Sequence, residues 1–221
     1  MSTDRFTAQR RALIGRMQER GIRDLDLLHL FDLVPRHLFV PHAVAHRAYE
    51  DAPVPIGYGQ TASQPSLQAL YMQLLEIQPS DRVLEVGTGS GFQTAVLAHL
   101  ADRVYSIERI PELAARAREA LDGLRLANVA LLVGDGTVGW SRYAPYDAIL
   151  VAAAAPEIPA PLAEQLAEGG RMLVPVGPRD AQRLLLVRRT DGTLHQEEVL
   201  DCTFVPLLGR FGWAEDRGGA S

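Results

Sequence analysis

The sequence predicts an α/β fold: a doubly wound, mostly parallel sheet with an N-terminal helical extension and C-terminal antiparallel strands. Three observations carry this prediction. Between Leu67 and Val176, apolar runs of strand length alternate with segments of helical period, the pattern of parallel strands joined by crossover helices. The run Val83, Leu84, Val86 enters a turn containing Gly87, Gly89 and Gly91, which leads straight into a helical segment. Beyond Val176 the alternation stops, and two apolar runs flank Asp191-Gly192, a favoured two-residue hairpin turn.

The elements follow in order. Leu13, Ile14 and Met17 recur at helical spacing within residues 5–20. Asp24 is an N-cap for a helix to Leu33, which Pro35 stops because proline disfavours helical backbone in the residue before it. Residues 35–66 are rich in proline and glycine, so little regular structure is expected there beyond a helical turn around Ala43 to Ala48. A helix from Leu67 to Glu76 leads to the first core strand, and Phe92 to Leu100 forms the helix after it. Val104 to Ile107 is the second strand, and Pro111 opens a helix through Asp122. Val129 to Val133 is the third strand, ending at Gly134-Asp135-Gly136, and Tyr146 to Val151 is the fourth. Leu162 to Ala167 is expected as a helix, and Met172 to Val176 as the fifth strand after a Gly169-Gly170 turn. Leu184 to Arg188 and Leu194 to Leu200 are the hairpin strands. A single domain is expected over residues 1–213, divided into a helical and loop region (1–66), a core (67–177) and the C-terminal strands (178–213). Residues 214–221 are small and polar and are expected to form a disordered tail.

Bulk composition narrows the functional classes. Of 221 residues, 47% are hydrophobic and 22% charged, as in an ordinary water-soluble domain, and no apolar stretch reaches membrane-spanning length. The first twenty residues include Asp4 and Glu19 and have no apolar core, so they do not read as a secretory signal. Cys202 is the lone cysteine, which excludes an internal disulfide and points to a reducing, cytoplasmic setting. A net charge of −5 gives nucleic-acid binding no global support. All 22 basic residues are arginine; with no lysine, Schiff-base chemistry and a phosphate-binding P-loop lysine are excluded.

The glycine turn is where chemistry is expected. Without a Cβ at Gly87, Gly89 and Gly91, a ligand can press against bare backbone, and an acid about 20 residues further on is where a ribose diol is bound. In open α/β sheets the ligand crevice lies at the carboxyl ends of the strands. Glu85, Glu108 and Asp135 reach that edge, whereas Asp147 begins its strand at the other end and reads as structural. The spacing is GxGxG, because Phe92 fills the place of the third dinucleotide-binding glycine. With Glu85 two residues ahead, the segment resembles the first motif of S-adenosylmethionine-dependent methyltransferases. That resemblance implies a donor pocket cradled by Gly87, Thr88, Gly89, Ser90 and Gly91. Glu108 would accept from both ribose hydroxyls, Asp135 from the adenine amino group, and Gly136 would let the ring approach the chain. Glu85 would orient the turn or meet the donor's ammonium. The fourth strand ends in AAAAPEIP (152–159), which lacks the polar clamp of enzymes that methylate exocyclic amines.

Six segments carry a closer resemblance: VPRHLFVP (34–41), PIGYGQTASQPS (55–66), GDGTVGW (134–140), PYDAILVAAAAPEIP (145–159), GGRMLVPVG (169–177) and FVPL (204–207). Together with the glycine turn they closely resemble the protein-L-isoaspartate O-methyltransferase family over roughly residues 30–210. The resemblance implies methyl transfer from S-adenosyl-L-methionine to the free α-carboxylate of isoaspartyl residues in damaged proteins and peptides. The ester then collapses to a succinimide that reopens partly to aspartate. Ser63 matches the family's active-site serine and would position one carboxylate oxygen, and Thr61 would contact the donor. A carboxylate of pKa about 4 is already ionised at neutral pH and needs no general base. The sequence departs from the family at Ala62 (commonly Ile or Leu), Ala152 (often Thr) and Thr203 (commonly Arg). Gly57 and Gly59 would hinge the loop, and His37 beside Arg36 would shape the substrate entry. His42 and His46 share helical spacing, but no third ligand or HExxH accompanies them, so no metal site is expected. Trp140 and Tyr143 read as packing residues. With no heptad or dimer signature, a monomer is expected. The rival readings are an O-methyltransferase for another peptide or small-molecule carboxylate, and a non-catalytic protein that binds the donor.

Overall fold

Burial decides where the first third of the chain becomes helical. In a computed structural model that describes residues 6–215, helix α1 (Thr7–Glu19) buries Leu13 and Met17, and α2 (Leu25–Leu33) buries Leu27, Leu28 and Phe31. Asp24 caps α2 by accepting the Leu27 N–H at 3.0 Å, and Val34 turns extended ahead of Pro35. The stretch that follows is more regular than expected. Two 3-10 turns (Arg36–Leu38 and His42–Arg47) precede an antiparallel hairpin of β1 (Val54–Gly57) and β2 (Gln60–Ala62). Its tip takes left-handed backbone at Gly57 and Gly59 (φ 94° and 70°), conformations that cost a glycine little.

The rest of the chain builds the sheet. Helix α3 (Pro65–Leu75) leads to β3 (Arg82–Val86), followed by α4 (Phe92–Leu100), β4 (Arg103–Glu108), α5 (Pro111–Gly123) and β5 (Val129–Val133). Then come β6 (Tyr146–Val151), the short α6 (Ala160–Glu164), β7 (Leu166–Val176), β8 (Gln182–Thr190) and β9 (Thr193–Cys202). The strand order is β5-β4-β3-β6-β7-β8-β9, parallel from β5 to β7 and antiparallel beyond. The order reverses between β3 and β6, so their carboxyl ends flank the switch-point crevice of a doubly wound sheet. β3 is central, with Val83, Leu84 and Val86 all buried. Helix α3 ends at Glu76 in left-handed backbone (φ 47°), where glycine is the usual residue. Arg171 of β7 serves that end instead, donating to the carbonyls of Leu75 (2.6 Å) and Glu76 (2.7 Å) and to the Asp81 carboxylate.

One expected boundary moves. Leu166 and Ala167 are strand, not helix: Leu166 pairs with Tyr146 and Arg171 with Ala148, the ladder absorbing an irregularity that includes Gly169 at φ 74°. Leu162 and Leu166 stand at helical spacing, yet the hydrogen-bonding edge of β6 claims the second of them. The Asp191-Gly192 hairpin forms as expected, with both residues at positive φ (51° and 72°) and Thr190 opposite Thr193. After β9 the chain returns beside the end of β6: Ala154 donates to Val205 O (2.8 Å), and Leu207 donates to Ala154 O (2.7 Å). Of the expected tail, Ala214 accepts from Arg179 and Glu215 pairs with Arg109; residues 216–221 lie outside the described residues. Among the described residues no helix is long and apolar enough to cross a membrane.

Candidate active site

A cleft open to solvent lies at the carboxyl ends of β3, β4 and β6. Gly87, Thr88, Gly89 and Ser90 line it with Glu108 and Gly136, and Thr61 of β2 and Ser63 just after the hairpin line it as well. Ile110 and Leu113, at the start of α5, and Val205 to Leu208 add apolar surface.

The glycine turn is held from its ends. Gly87 N–H donates to Ile107 O at 2.8 Å, and Gly91 caps α4 at φ 84°, where an added Cβ would stand 3.0 Å from that of Ala117. Glu108 closes the turn: its Oε2 accepts the Gly89 N–H at 2.8 Å and its Oε1 accepts the Ile110 N–H at 2.9 Å. Each oxygen keeps a second lone pair, and the residue is only 6% exposed. Two facing acceptors on a buried acid suit a vicinal diol.

Glu85 lies beneath the wall and not on it. Fully buried, its carboxyl accepts from Gln93 (3.0 Å), Thr94 (2.5 Å) and Ser106 (2.6 Å). Ser106 spends its proton there, so Thr88 donates to Ser106 at 2.6 Å, and the network ties the turn to β3 and β4. Burial pushes the Glu85 carboxyl up to about 7, against the pull of those hydrogen bonds and with a push from Glu108. Of the two tasks expected for Glu85, the geometry fits holding the turn and not meeting a ligand. Gly91, too, lies off the wall.

Asp135 is turned away from the cavity. Its Oδ1 accepts the Thr137 N–H (2.8 Å) and hydroxyl (2.7 Å), and its Oδ2 accepts the Arg210 N–H (2.8 Å). Burial pushes this carboxyl up, but the bonds from Arg210 and Thr137 outweigh it and hold the group below the usual carboxylate range. The local Thr137 N–H and the Arg210 N–H, brought in by the chain after β9, capture the short side chain, and only the neighbouring Gly136 reaches the wall.

Around Ser63 the structure adds residues that the sequence did not single out. The Ser63 hydroxyl has no hydrogen-bond partner among the described residues, while its carbonyl accepts from Arg36 at 2.7 Å. Arg36 is buried behind the wall; His37, expected at the entry, instead packs against Phe6 (4.4 Å between rings) and bonds Tyr49 (2.8 Å). Gln68 and Gln93, in the first turns of α3 and α4, both line the cavity. An arginine in the mostly apolar VPRHLFVP, beside His37, was the available signal for Arg36; nothing marked the glutamines. Trp140 and Tyr143 pack with Tyr105 (5.9 and 4.5 Å between ring centroids) away from the cavity. Ala152 sits on the wall, where its Cβ would lie 3.4 Å from one added at Gly87; Ala62 is buried and Thr203 exposed.

Comparison with known proteins agrees with this geometry. The profile of the family described as protein-L-isoaspartate(D-aspartate) O-methyltransferase matches residues 8–212. The chain belongs to that family. The protein-L-isoaspartate O-methyltransferase of Trichlorobacter lovleyi is 54% identical over 207 residues, covering 93% of this chain and 95% of its own. A solved protein-L-isoaspartate O-methyltransferase superposes with a TM-score of 0.82 at 30% identity, over 92% of this chain and 67% of that one. A Plasmodium falciparum structure described as a protein-L-isoaspartate O-methyltransferase in complex with S-adenosyl-L-homocysteine gives 0.78 at 26% identity, over 89% and 97%. The methyltransferase fold and the dependence of the family on S-adenosyl-L-methionine thus accord with the switch-point crevice and the two acceptor oxygens of Glu108 in it.

Proposed function

We infer that the chain catalyses the reaction of its family: methyl transfer from S-adenosyl-L-methionine to the free α-carboxylate of L-isoaspartyl residues in damaged proteins and peptides, which starts repair through a succinimide. The observation that carries this reading is the unpartnered Ser63 hydroxyl in the same cleft as buried Glu108, with no histidine among the described lining residues. When bound, the donor supplies an electrophilic methyl on a sulfonium. The residues present fit it: a bare glycine turn, a buried acid with two lone pairs to spare, and apolar Ile110 and Leu113 for a flat ring.

The chain's own work is positioning. Ser63 donates to one oxygen of an acceptor already ionised at neutral pH and points the other along the line of displacement. Gly87, Thr88, Gly89, Ser90 and Thr61 hold the donor, Glu108 takes its ribose, and Gly136 meets the adenine. Glu85, Gly91 and Asp135 serve that pocket from behind: the first two shape the glycine turn, and Asp135 sets Gly136 in place. Net negative charge supports a peptide acceptor over nucleic acid, and the single cysteine supports a cytoplasmic site of action; a monomer is sufficient, since one chain supplies both walls.

The test pairs labelled donor with an isoaspartyl peptide and its aspartyl twin. Selective, base-labile labelling of the isoaspartyl form is expected. Labelling of a different carboxylate would favour another O-methyltransferase, and donor binding without labelling would favour a binding protein.

A further inference from the structure

Arg36 is 1% exposed, yet it has no carboxylate partner among the described residues. Its Nη1 donates to Gln68 Oε1 at 2.7 Å, its Nη2 to the Ser63 carbonyl at 2.7 Å, and its Nε to nothing. The guanidinium lies 4.7 Å from the centroid of the Phe92 ring. A charge removed from water is costly unless an opposite charge answers it. Asp51, whose field reaches Arg36, is already engaged by Arg20, Gln64 and the Ser66 N–H. Burial lowers the Arg36 pKa to about 10, so the group still carries its charge at neutral pH.

That charge is directed along a line of side chains. A guanidinium only donates, so it fixes the oxygen of the Gln68 amide toward itself. The Gln68 nitrogen then reaches Gln93 Oε1 at 3.4 Å, and the Gln93 nitrogen reaches Glu85 at 3.0 Å. Both amides therefore run in one sense, from the cation beside Ser63 to the carboxyl beneath the glycine turn, each polarising the next. Gln68 and Gln93 are 4% and 5% exposed, and both line the cavity. Each amide nitrogen spends one hydrogen along the line, which leaves one donor apiece.

We propose that Gln68, polarised by Arg36, seats the acceptor carboxylate in this cavity, with Arg36 as its buried counter-charge. The proposal rests on the functional reading above and deepens it. Gln68 touches the carboxylate; Arg36 acts through Gln68 and the Ser63 carbonyl and is a positioning residue. The positive end of the line lies at the acceptor half, since Arg36 holds both Ser63 and Gln68, while the negative end lies under the donor half. A carboxylate beside Ser63 supplies the opposite charge that Arg36 lacks, whereas a neutral carboxamide does not.

Kinetics with an isoaspartyl peptide, calorimetry with S-adenosylhomocysteine and thermal melting test this together. Gln68→Met keeps the volume and removes both the donor and the oxygen that Arg36 Nη1 uses, the second loss being read in the melting midpoint; KM for the peptide should rise about 10- to 100-fold, as for a lost hydrogen bond to a charged group. S-adenosylhomocysteine affinity should stay within about twofold, because uniform donor binding is untouched. Gln68→Glu gives Arg36 an ion-pair partner, so the melting midpoint should rise while KM rises further than in Gln68→Met, anion then facing anion. A purely structural role for Gln68 predicts the reverse order of KM. Arg36→Lys should fall between wild type and Arg36→Met. Unchanged KM in both Gln68 variants overturns the proposal. So does a loss of S-adenosylhomocysteine affinity with KM held, which would move the seat to the methionyl carboxylate of the donor. Wild-type activity on the peptide is read first: its absence refutes the functional reading and the seat together, whereas normal wild-type activity with unshifted variants refutes the seat alone.

Discussion

Replacing Glu108 by glutamine should harm the enzyme twice, once before any ligand arrives. Both carboxylate oxygens accept a backbone N–H, from Gly89 at 2.8 Å and Ile110 at 2.9 Å. An amide has a single oxygen, so its NH₂ must face one of those two N–H groups, leaving a buried donor without an acceptor. That penalty is about 1–3 kcal/mol. For a chain of this length each kcal/mol moves the melting midpoint by about 2–4 °C, so the ligand-free variant should melt roughly 2–12 °C lower. The second loss is at the ribose, where one charge-assisted bond of about 1.5–3 kcal/mol disappears. S-adenosylhomocysteine affinity should therefore fall by a further ~10- to 150-fold. Melting without ligand and calorimetry with it separate the two effects. A variant that melts like wild type would refute the closure of the turn by Glu108, and an unchanged affinity in a stable variant would refute the ribose assignment.

Three further outcomes are expected. Ser63→Ala should lower kcat on the isoaspartyl peptide by about tenfold or more while melting and S-adenosylhomocysteine affinity stay near wild type, since only a bond to substrate is lost; an equal loss of affinity would contradict its role. Glu85 has a folded pKa raised to about 7 from 4.5, so its contribution to stability is fully present below the unfolded value and is lost as pH rises through 7. Wild type should lose stability relative to Glu85→Gln between pH 5 and 8, and parallel melting profiles would show that the buried carboxyl is not titrating there. Arg171→Met strips partners from two helix-end carbonyls and from Asp81, and should cost about 3–5 kcal/mol by urea denaturation; a loss below about 1 kcal/mol would mean water replaces the guanidinium.

What the sequence made legible follows from where local and global preferences agree. Helix α4 and strands β5 and β6 have the expected limits because the apolar runs and the flanking Gly91, Gly134 and Pro145 point the same way. The β1–β2 hairpin escaped because Pro55 and two glycines mask strand propensity, although only such residues could make its tip. Leu166 was misplaced because pairing with β6, a contact across twenty residues, overrides helical spacing. In the site, glycines and Glu108 were readable because a turn and an acid at fixed distance define a position in space. The aim of a short side chain was not: Asp135 stands where expected, but its carboxylate answers Thr137 and Arg210. Arg36, Gln68 and Gln93 acquire meaning only from one another, across separations of 32 and 25 residues.

The crevice also has a seam. Arg36, Ser63 and Gln68 all precede Ile77, while the glycine turn, Glu108 and Gly136 all follow Arg82. A single crossover between two related genes within that short connector would swap one wall and keep the other whole. Lineages would then inherit the methyl-supplying side as a fixed chassis and diversify in what they mend by trading the segment in front of it.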